Sequence, residues 1–254
     1  DGIPFDTLYR RLRKSGGLRG LSNSEVCLVA ALWAARREGA KINAATLIDH
    51  FPADGSEQDI DLLKSKLAKA DGIIISTPVY FGDRSSLSQR LIETIRADDE
   101  LKEKLSGKIY GGLATGAKRN GGQETTLIYQ MVDMVHMGML AVGNNSETTS
   151  QYGGTGLAGD IGVMADDDYG IKTSIGTGQR IAHVCSTFSA GNQYDLRDQP
   201  RVGLWTLQDK DHMATKLISG FLDEIEPKPS VDNINWEPNW GLQRIKSMLE
   251  GRPD

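Results

Sequence analysis

Three short stretches carry residue types able to do chemistry together. The first is SGGLRGLSNS, Ser15 to Ser24. Gly16, Gly17 and Gly20 let backbone approach an anion, Ser22, Asn23 and Ser24 offer side-chain donors, and Arg19 supplies charge. A helix beginning there adds free N–H groups and the positive end of its dipole. The second is TPVYFGD, where Pro78 stiffens a turn and Tyr80 and Phe81 are able to stack on a flat ring. The third is TGAKRNGGQE, where Gly121 and Gly122 let the chain pass close to a planar ligand. There Asn120 and backbone N–H groups can bond ring oxygens and nitrogens, and Arg119 can offset negative charge on a reduced ring. Each stretch taken alone also has a plain reading: a capped helix after a linker, aromatics closing a sheet edge, and an αL turn before a helix.

The elements that must position these loops follow from hydrophobic spacing. Val26, Val29, Ala30, Trp33 and Ala34 recur at helical intervals after a Ser22 or Ser24 cap, and Gly39 ends that helix. Residues 41–49 (KINAATLID) alternate as a strand, and 56–70 read as a helix with Ile60, Leu63 and Leu67 on one face. Residues 72–81 open on an unbroken apolar run, as a parallel strand covered on both faces does. A helix (85–95), a strand (108–116), a helix (123–138) and a last strand (139–144) follow, and 171–186 read as a further helix with Ile175, Ile181, Ala182 and Cys185 inward. The glycine-rich run 151–162 reads as a functional or mobile loop. This alternation predicts an α/β fold with a parallel sheet and helices on both faces. In such a sheet, ligands bind outside the carboxyl ends of the strands, where the three loops must converge. An anion loop, an aromatic loop and a glycine-rich donor loop together describe a mononucleotide with a flat ring, and FMN is its natural occupant.

Composition narrows the class. With 29 Lys and Arg against 34 Asp and Glu, the net charge of -5 argues against a nucleic-acid partner. Two cysteines, Cys27 and Cys185, are too few for a disulfide framework or a cysteine-held iron–sulfur cluster. No apolar run approaches the ~20 residues that span a bilayer, so no membrane insertion is expected, and a reducing cytoplasm is the default location. His50, His136, His183 and His212 form no metal pattern. Cys27 sits where a helix dipole lowers a thiol pKa, but reads rather as a small buried hydrophobe. Asp166, Asp167 and Asp168 read as a solvated loop with a helix cap, and Arg10, Arg11, Arg13 and Lys14 as a solvated helix face.

TPVYFGDRSS, followed by GAKRNGGQETTL and then GMLAVGN, resembles the flavodoxin-like NADPH-dependent FMN reductase superfamily. The likeness runs from Ser15 to Ser186 and is greatest to its iron–sulfur flavoproteins and NAD(P)H:quinone oxidoreductases. The resemblance implies a five-stranded doubly wound parallel sheet and non-covalent FMN. It also implies a homodimer or homotetramer whose neighbouring subunits help form the flavin pocket. By position, Arg19, Ser22, Asn23 and Ser24 would hold the FMN phosphate, and Pro78, Val79, Tyr80 and Phe81 would line the ring and ribityl chain. Thr115, Gly116, Ala117, Arg119, Asn120, Gly121 and Gly122 would flank the isoalloxazine, with Arg119 and Tyr80 as the catalytic candidates. The implied activity moves hydride from NADPH or NADH through FMN to a flavin, a quinone or a pathway-specific small molecule. The alternatives are a flavodoxin-type electron carrier without nicotinamide turnover and a flavin-free structural relative.

Three departures accompany the likeness. The cluster cysteines are absent. Residues 188–254, with Trp205, Trp236 and Trp240, form an extension expected to pack on the core or a partner subunit. The family's first strand should directly precede Ser15, yet that place holds Arg10, Arg11 and Arg13, whose unpaired burial is prohibitive. The expectation is therefore that a strand belongs between Lys14 and Ser15 and is missing, with 1–14 as an N-terminal arm and 15–187 as the FMN-binding domain. The alternative is a remodelled sheet with an altered phosphate loop.

Overall fold

The computed structural model of the chain describes residues 21–148, 151–159 and 163–191. The arm, Arg19, the residues on either side of the expected missing strand, and the extension beyond residue 191 lie outside them.

Helix α1 (Asn23–Arg37) begins with a reciprocal cap: the Ser22 hydroxyl accepts from the Glu25 amide, and the Glu25 carboxylate accepts from the Ser22 amide. Arg36 and Arg37 complement the dipole in its last turn, and Gly39 follows at φ 93. A single turn α2 (Leu47–His50) and helix α3 (Ile60–Lys69) lead to strand β1 (Gly72–Tyr80). A hairpin then returns through β2 (Asp83–Arg84). Helices α4 (Ser86–Arg96) and α5 (Asp99–Leu105) precede β3 (Ile109–Gly116). Helix α6 (Gln123–His136), β4 (Leu140–Val142), β5 (Gly153–Leu157) and α7 (Asp168–Gly191) complete the described chain.

Strand β3 is buried at every residue and is the centre of the sheet. It pairs in parallel with β1 on one edge, Gly72 opposite Ile109 through Pro78 opposite Thr115. Its other edge is shared: β4 covers Ile109 to Gly111 and β5 covers Gly112 to Gly116, both parallel. Ile73, Ile75 and Tyr110 pack with α3, α4, α5 and α6 on one face. Ile74 and Leu113 face α1 and α7 on the other. The helices α1 and α7 meet closely because Gly178 has no side chain; a Cβ there would lie 1.9 Å from the Ala31 carbonyl oxygen.

The doubly wound layering and the strands at 72–80 and 109–116 match the sequence reading, while three details differ. Residues 41–46 form no strand, and 47–50 turn into α2. An alternating segment becomes a strand only beside a neighbour, and none is available: along Gly72–Pro78 the outer edge of β1 is paired with nothing among the described residues. The run 151–162 is not wholly a loop, because 153–157 extend the edge strand as β5. Finally α7 is longer at both ends than the helix expected over 171–186, running from Asp168 to Gly191.

Candidate functional site

The loops after β1 and β3 and the start of α1 gather at the carboxyl end of the sheet. Ser76 on β1 donates to the Ser24 carbonyl at 2.7 Å, fixing the start of α1 against the strand. The Ser22 and Ser24 hydroxyls lie 3.3 Å apart. Asn23 turns the other way, its Oδ1 accepting from the Met164 amide at 3.1 Å.

The aromatic loop is a two-residue hairpin with both central residues at positive φ, Phe81 at 52° and Gly82 at 82°. That geometry defines the type I′ turn, which ordinarily takes Asn-Gly. Tyr80 is 60% exposed, and Phe81 is fully exposed. The hairpin is anchored from behind: Arg84, nearly buried, pairs with Asp133 of α6 at 2.6 Å. The Thr77 hydroxyl accepts from the Ser85 amide at 3.0 Å, which joins β1 to the start of α4.

Gln123, wholly buried, organises the third loop. Its Oε1 accepts from the Gly121 amide at 2.8 Å, and its Nε2 donates to the Lys118 carbonyl at 2.7 Å and the Gly156 carbonyl at 3.0 Å. Gly122, at φ 97, abuts the hairpin: a Cβ there would stand 3.0 Å from the Gly82 Cα and 3.3 Å from Val79. Arg119 leaves the loop to pair with the buried Asp167, donates to the Thr155 carbonyl at 3.3 Å and stacks on the Tyr169 ring at 4.9 Å. Asp167 also accepts from the Leu157 amide at 2.7 Å. The aspartate run is thus not a solvated loop throughout: Asp166 and Asp168 are exposed, whereas Asp167 is buried with two partners.

A cavity of about 660 Å³ opens beside these loops. Ser22, Ser24, Pro78 and Tyr80 line it, so the first two loops share one space. No described residue of 115–122 lines it, so the third loop touches the hairpin and not this cavity. The sequence reading missed the far wall, where Leu47, Ile48, Phe51 and Pro52 form an apolar surface and Ser85, Ser86 and Ser88 bring the N-terminus of α4. Arg90 stacks on Phe51 at 4.7 Å and donates to the Ser56 carbonyl at 3.2 Å. A helix start marked SSLS was the available signal for the second N-terminus. The Phe51 wall follows from α2, which replaced the expected strand.

FMN fits these residues. The cavity lies in the size range of cofactor pockets, and the serines at two helix N-termini suit a phosphate. Thr115 Oγ1, at the end of β3, is buried without a partner, on the side of Gly156, and does not line the cavity. Glu25 also lines the cavity, and its carboxylate already holds the Ser22 amide at 2.7 Å. An anion there must therefore take its bonds from the serine hydroxyls and other amides. A cysteine-held cluster does not fit. Cys27 is fully buried on α1 and Cys185 stands on α7, and the chain holds no other cysteine.

The family model for NADPH-dependent FMN reductase matches residues 15–152. An iron–sulfur flavoprotein of Methanocaldococcus jannaschii is 34% identical over 185 residues, spanning 67% of this chain and 94% of its own length. An NAD(P)H dehydrogenase (quinone) of Afipia carboxidovorans is 30% identical over 156 residues, covering 58% and 75%. Among solved structures, RosB with bound 8-demethyl-8-formylriboflavin-5′-phosphate superposes with a TM-score of 0.50 at 16% identity, covering 80% of this chain and 92% of that one. That last likeness concerns the fold alone.

Proposed function

Because the chain belongs to the NADPH-dependent FMN reductase family and is an NAD(P)H-dependent flavoenzyme with FMN as cofactor, we propose that it passes two electrons from the nicotinamide to a small-molecule acceptor of the flavin or quinone kind. When bound, FMN supplies the hydride chemistry, accepting from NAD(P)H and donating onward. The chain's part is to bind, orient and shield. The serines at the start of α1 receive the phosphate, aided by the helix dipole. Pro78 and Tyr80 hold the ring side of the cavity, and Tyr80 is exposed enough to position the second substrate. Gln123 keeps the 118–122 loop closed against β5, and Arg119 sets a positive charge at that edge, tempered by Asp167. The reading includes self-association into a dimer or tetramer and a working place in a reducing cytoplasm.

One observation carries it most directly: the anion-type residues Ser22 and Ser24 and the ring-type residues Pro78 and Tyr80, 54 or more positions apart in sequence, line one cavity. The test is the absorbance spectrum of the purified protein, reconstituted with FMN, followed by anaerobic NADPH or NADH. Oxidised flavin bands that bleach with either donor and return on adding a quinone are the expected result. A protein that binds FMN but bleaches with neither donor is an electron carrier and overturns the reading.

A further inference from the structure

The hairpin that carries Tyr80 and Phe81 has little to hold it by its own bonds. Its strands are in register over two pairs, Val79 with Arg84 and Tyr80 with Asp83. A two-stranded ribbon that short is marginal in water. Its tip is strained as well, with Phe81 and Gly82 both at positive φ. Yet the hairpin supplies Tyr80 to the wall of the cavity, beyond Pro78, the last residue of β1 that β3 pairs.

Arg84 makes up the deficit. Its side chain is 10% exposed, and Nη1 lies 2.6 Å from the Asp133 carboxylate of α6. The contact is one of charge: neither Nη1 nor the buried Nε makes a directed hydrogen bond, and Asp83 stands 3.6 Å from Nε. Asp133 continues the inner row of α6 after the buried Thr126 and Gln130, so water screens the pair less than it screens an exposed one. A guanidinium so enclosed needs its counter-charge.

Helix α6 therefore meets the hairpin at two points. At the N-cap, Gly122 stands so close that a Cβ would lie 3.0 Å from the Gly82 Cα. Three turns further on, roughly 16 Å along the helix axis, Asp133 takes Arg84. Either contact alone leaves the ribbon free to tilt, whereas two contacts that far apart fix its orientation. Neither Arg84 nor Asp133 lines the cavity, so any influence on a ligand there passes through the hairpin.

We propose that Arg84 is a positioning residue: through its ion pair with Asp133 it sets where the Pro78 and Tyr80 wall stands, and so how tightly the cavity holds FMN. The proposal rests on the reading above only in placing FMN beside Tyr80.

The test uses the full chain, freed of flavin and titrated with FMN by fluorescence without nicotinamide. Failure to bleach with NADPH or NADH, which overturns that reading, leaves these measurements untouched. Arg84→Met, which keeps the length and removes the charge, should weaken FMN binding about tenfold. Arg84→Lys, which keeps the charge that the contact uses, should stay within about twofold of the wild type. Asp133→Asn should repeat the loss, and the double variant should lose no more than the worse single one, as two members of one contact do. Asp133→Asn is nearly isosteric and the more exposed change, so it decides the matter should Arg84→Met not fold. Hydrogen exchange of the flavin-free protein gives a second readout. Amides of residues 79–84 should exchange about tenfold faster in Arg84→Met or Asp133→Asn, while those of β3 keep the wild-type rate. Folded variants with unchanged FMN affinity overturn the proposal. So does an Arg84→Lys protein as impaired as Arg84→Met, or exchange that quickens equally in the hairpin and β3, which would make the pair a support of the whole fold.

Discussion

Arg119 is held from three sides, by the Asp167 carboxylate, the Thr155 carbonyl and the Tyr169 ring. A guanidinium so fixed keeps its position whatever lies beside it, and its charge is partly cancelled by a carboxylate that is itself buried. The negative charge of Asp167 therefore opposes any further negative charge arriving nearby, including the electrons taken up by FMN. Asp167→Asn keeps an acceptor for the Leu157 amide and removes the charge. The reduction midpoint of the FMN-loaded protein should rise by about 30 mV, a tenfold shift in a two-electron equilibrium. A redox titration against a reference dye checks it, and an unchanged midpoint would mean that Asp167 serves the fold alone. This residue was not legible in the sequence. Three consecutive aspartates read as solvated, and which of them turns inward is set by where α7 starts. The quiet signal was Gly170, where a Cβ would come within 2.3 Å of the Asp167 carboxylate. Gln123 was read only as a helix opener, although a buried amide with three backbone partners is what closes the loop.

The β1–β2 hairpin spends conformational energy at its tip. Phe81 occupies the left-handed region, which costs an ordinary L-residue about 1–2 kcal/mol and Asn little. Since Phe81 is fully exposed, no burial offsets that cost within the described residues. Phe81→Asn should thus stabilise the protein by about 1 kcal/mol, seen as a higher urea midpoint at unchanged slope. If Phe81 contacts FMN, as the resemblance implies, the same change should weaken FMN binding several-fold in a fluorescence titration. Unchanged affinity would remove Phe81 from the site. At this scale the sequence was informative wherever local pattern and neighbours agreed. Apolar continuity placed β1 and β3, and Ser22 with Glu25 marked the start of α1. It failed where pairing decides the outcome. KINAATLID alternates as a strand does, but without a described neighbour on the outer edge of β1 it yields to irregular chain and α2. The glycines of 153–157, read as a loop, form β5 because a narrow strand is what fits between β3 and α7. A Cβ at Gly154 would press on both Leu113 and Ser174.

Among the described residues, each face of the sheet buries an ionisable group with a raised pKa that the chemistry does not use. Cys27, between α1 and the sheet, has its thiol pushed by burial from 9.0 up to about 12, despite a hydrogen bond from Ser174 that works the other way. The helix dipole noted in the sequence is outweighed by this desolvation. On the opposite face Tyr110, hydrogen-bonded to Gln130 at 2.8 Å, is likewise pushed up by burial. In both cases the folded pKa exceeds the unfolded one, so the folded state holds its proton more tightly. The stabilisation is then complete below the unfolded pKa and is lost as pH climbs toward the folded value. Lys108, whose pKa is lowered by burial, acts in the opposite sense, but its side chain is only partly enclosed and it donates to the Ala68 and Ala70 carbonyls. The two buried acids should dominate. Urea midpoints should stay level from neutral pH to about 8.5 and then fall, each buried group steepening the decline by up to about 1.4 kcal/mol per pH unit. Cys27→Ala should lower stability at neutral pH by roughly 1 kcal/mol, through the lost sulfur, while flattening the alkaline limb between 9 and 12. Parallel alkaline limbs in the wild type and Cys27→Ala would show that the thiol titrates no differently in the folded and unfolded chain, and that α1 does not seal this face of the sheet from water.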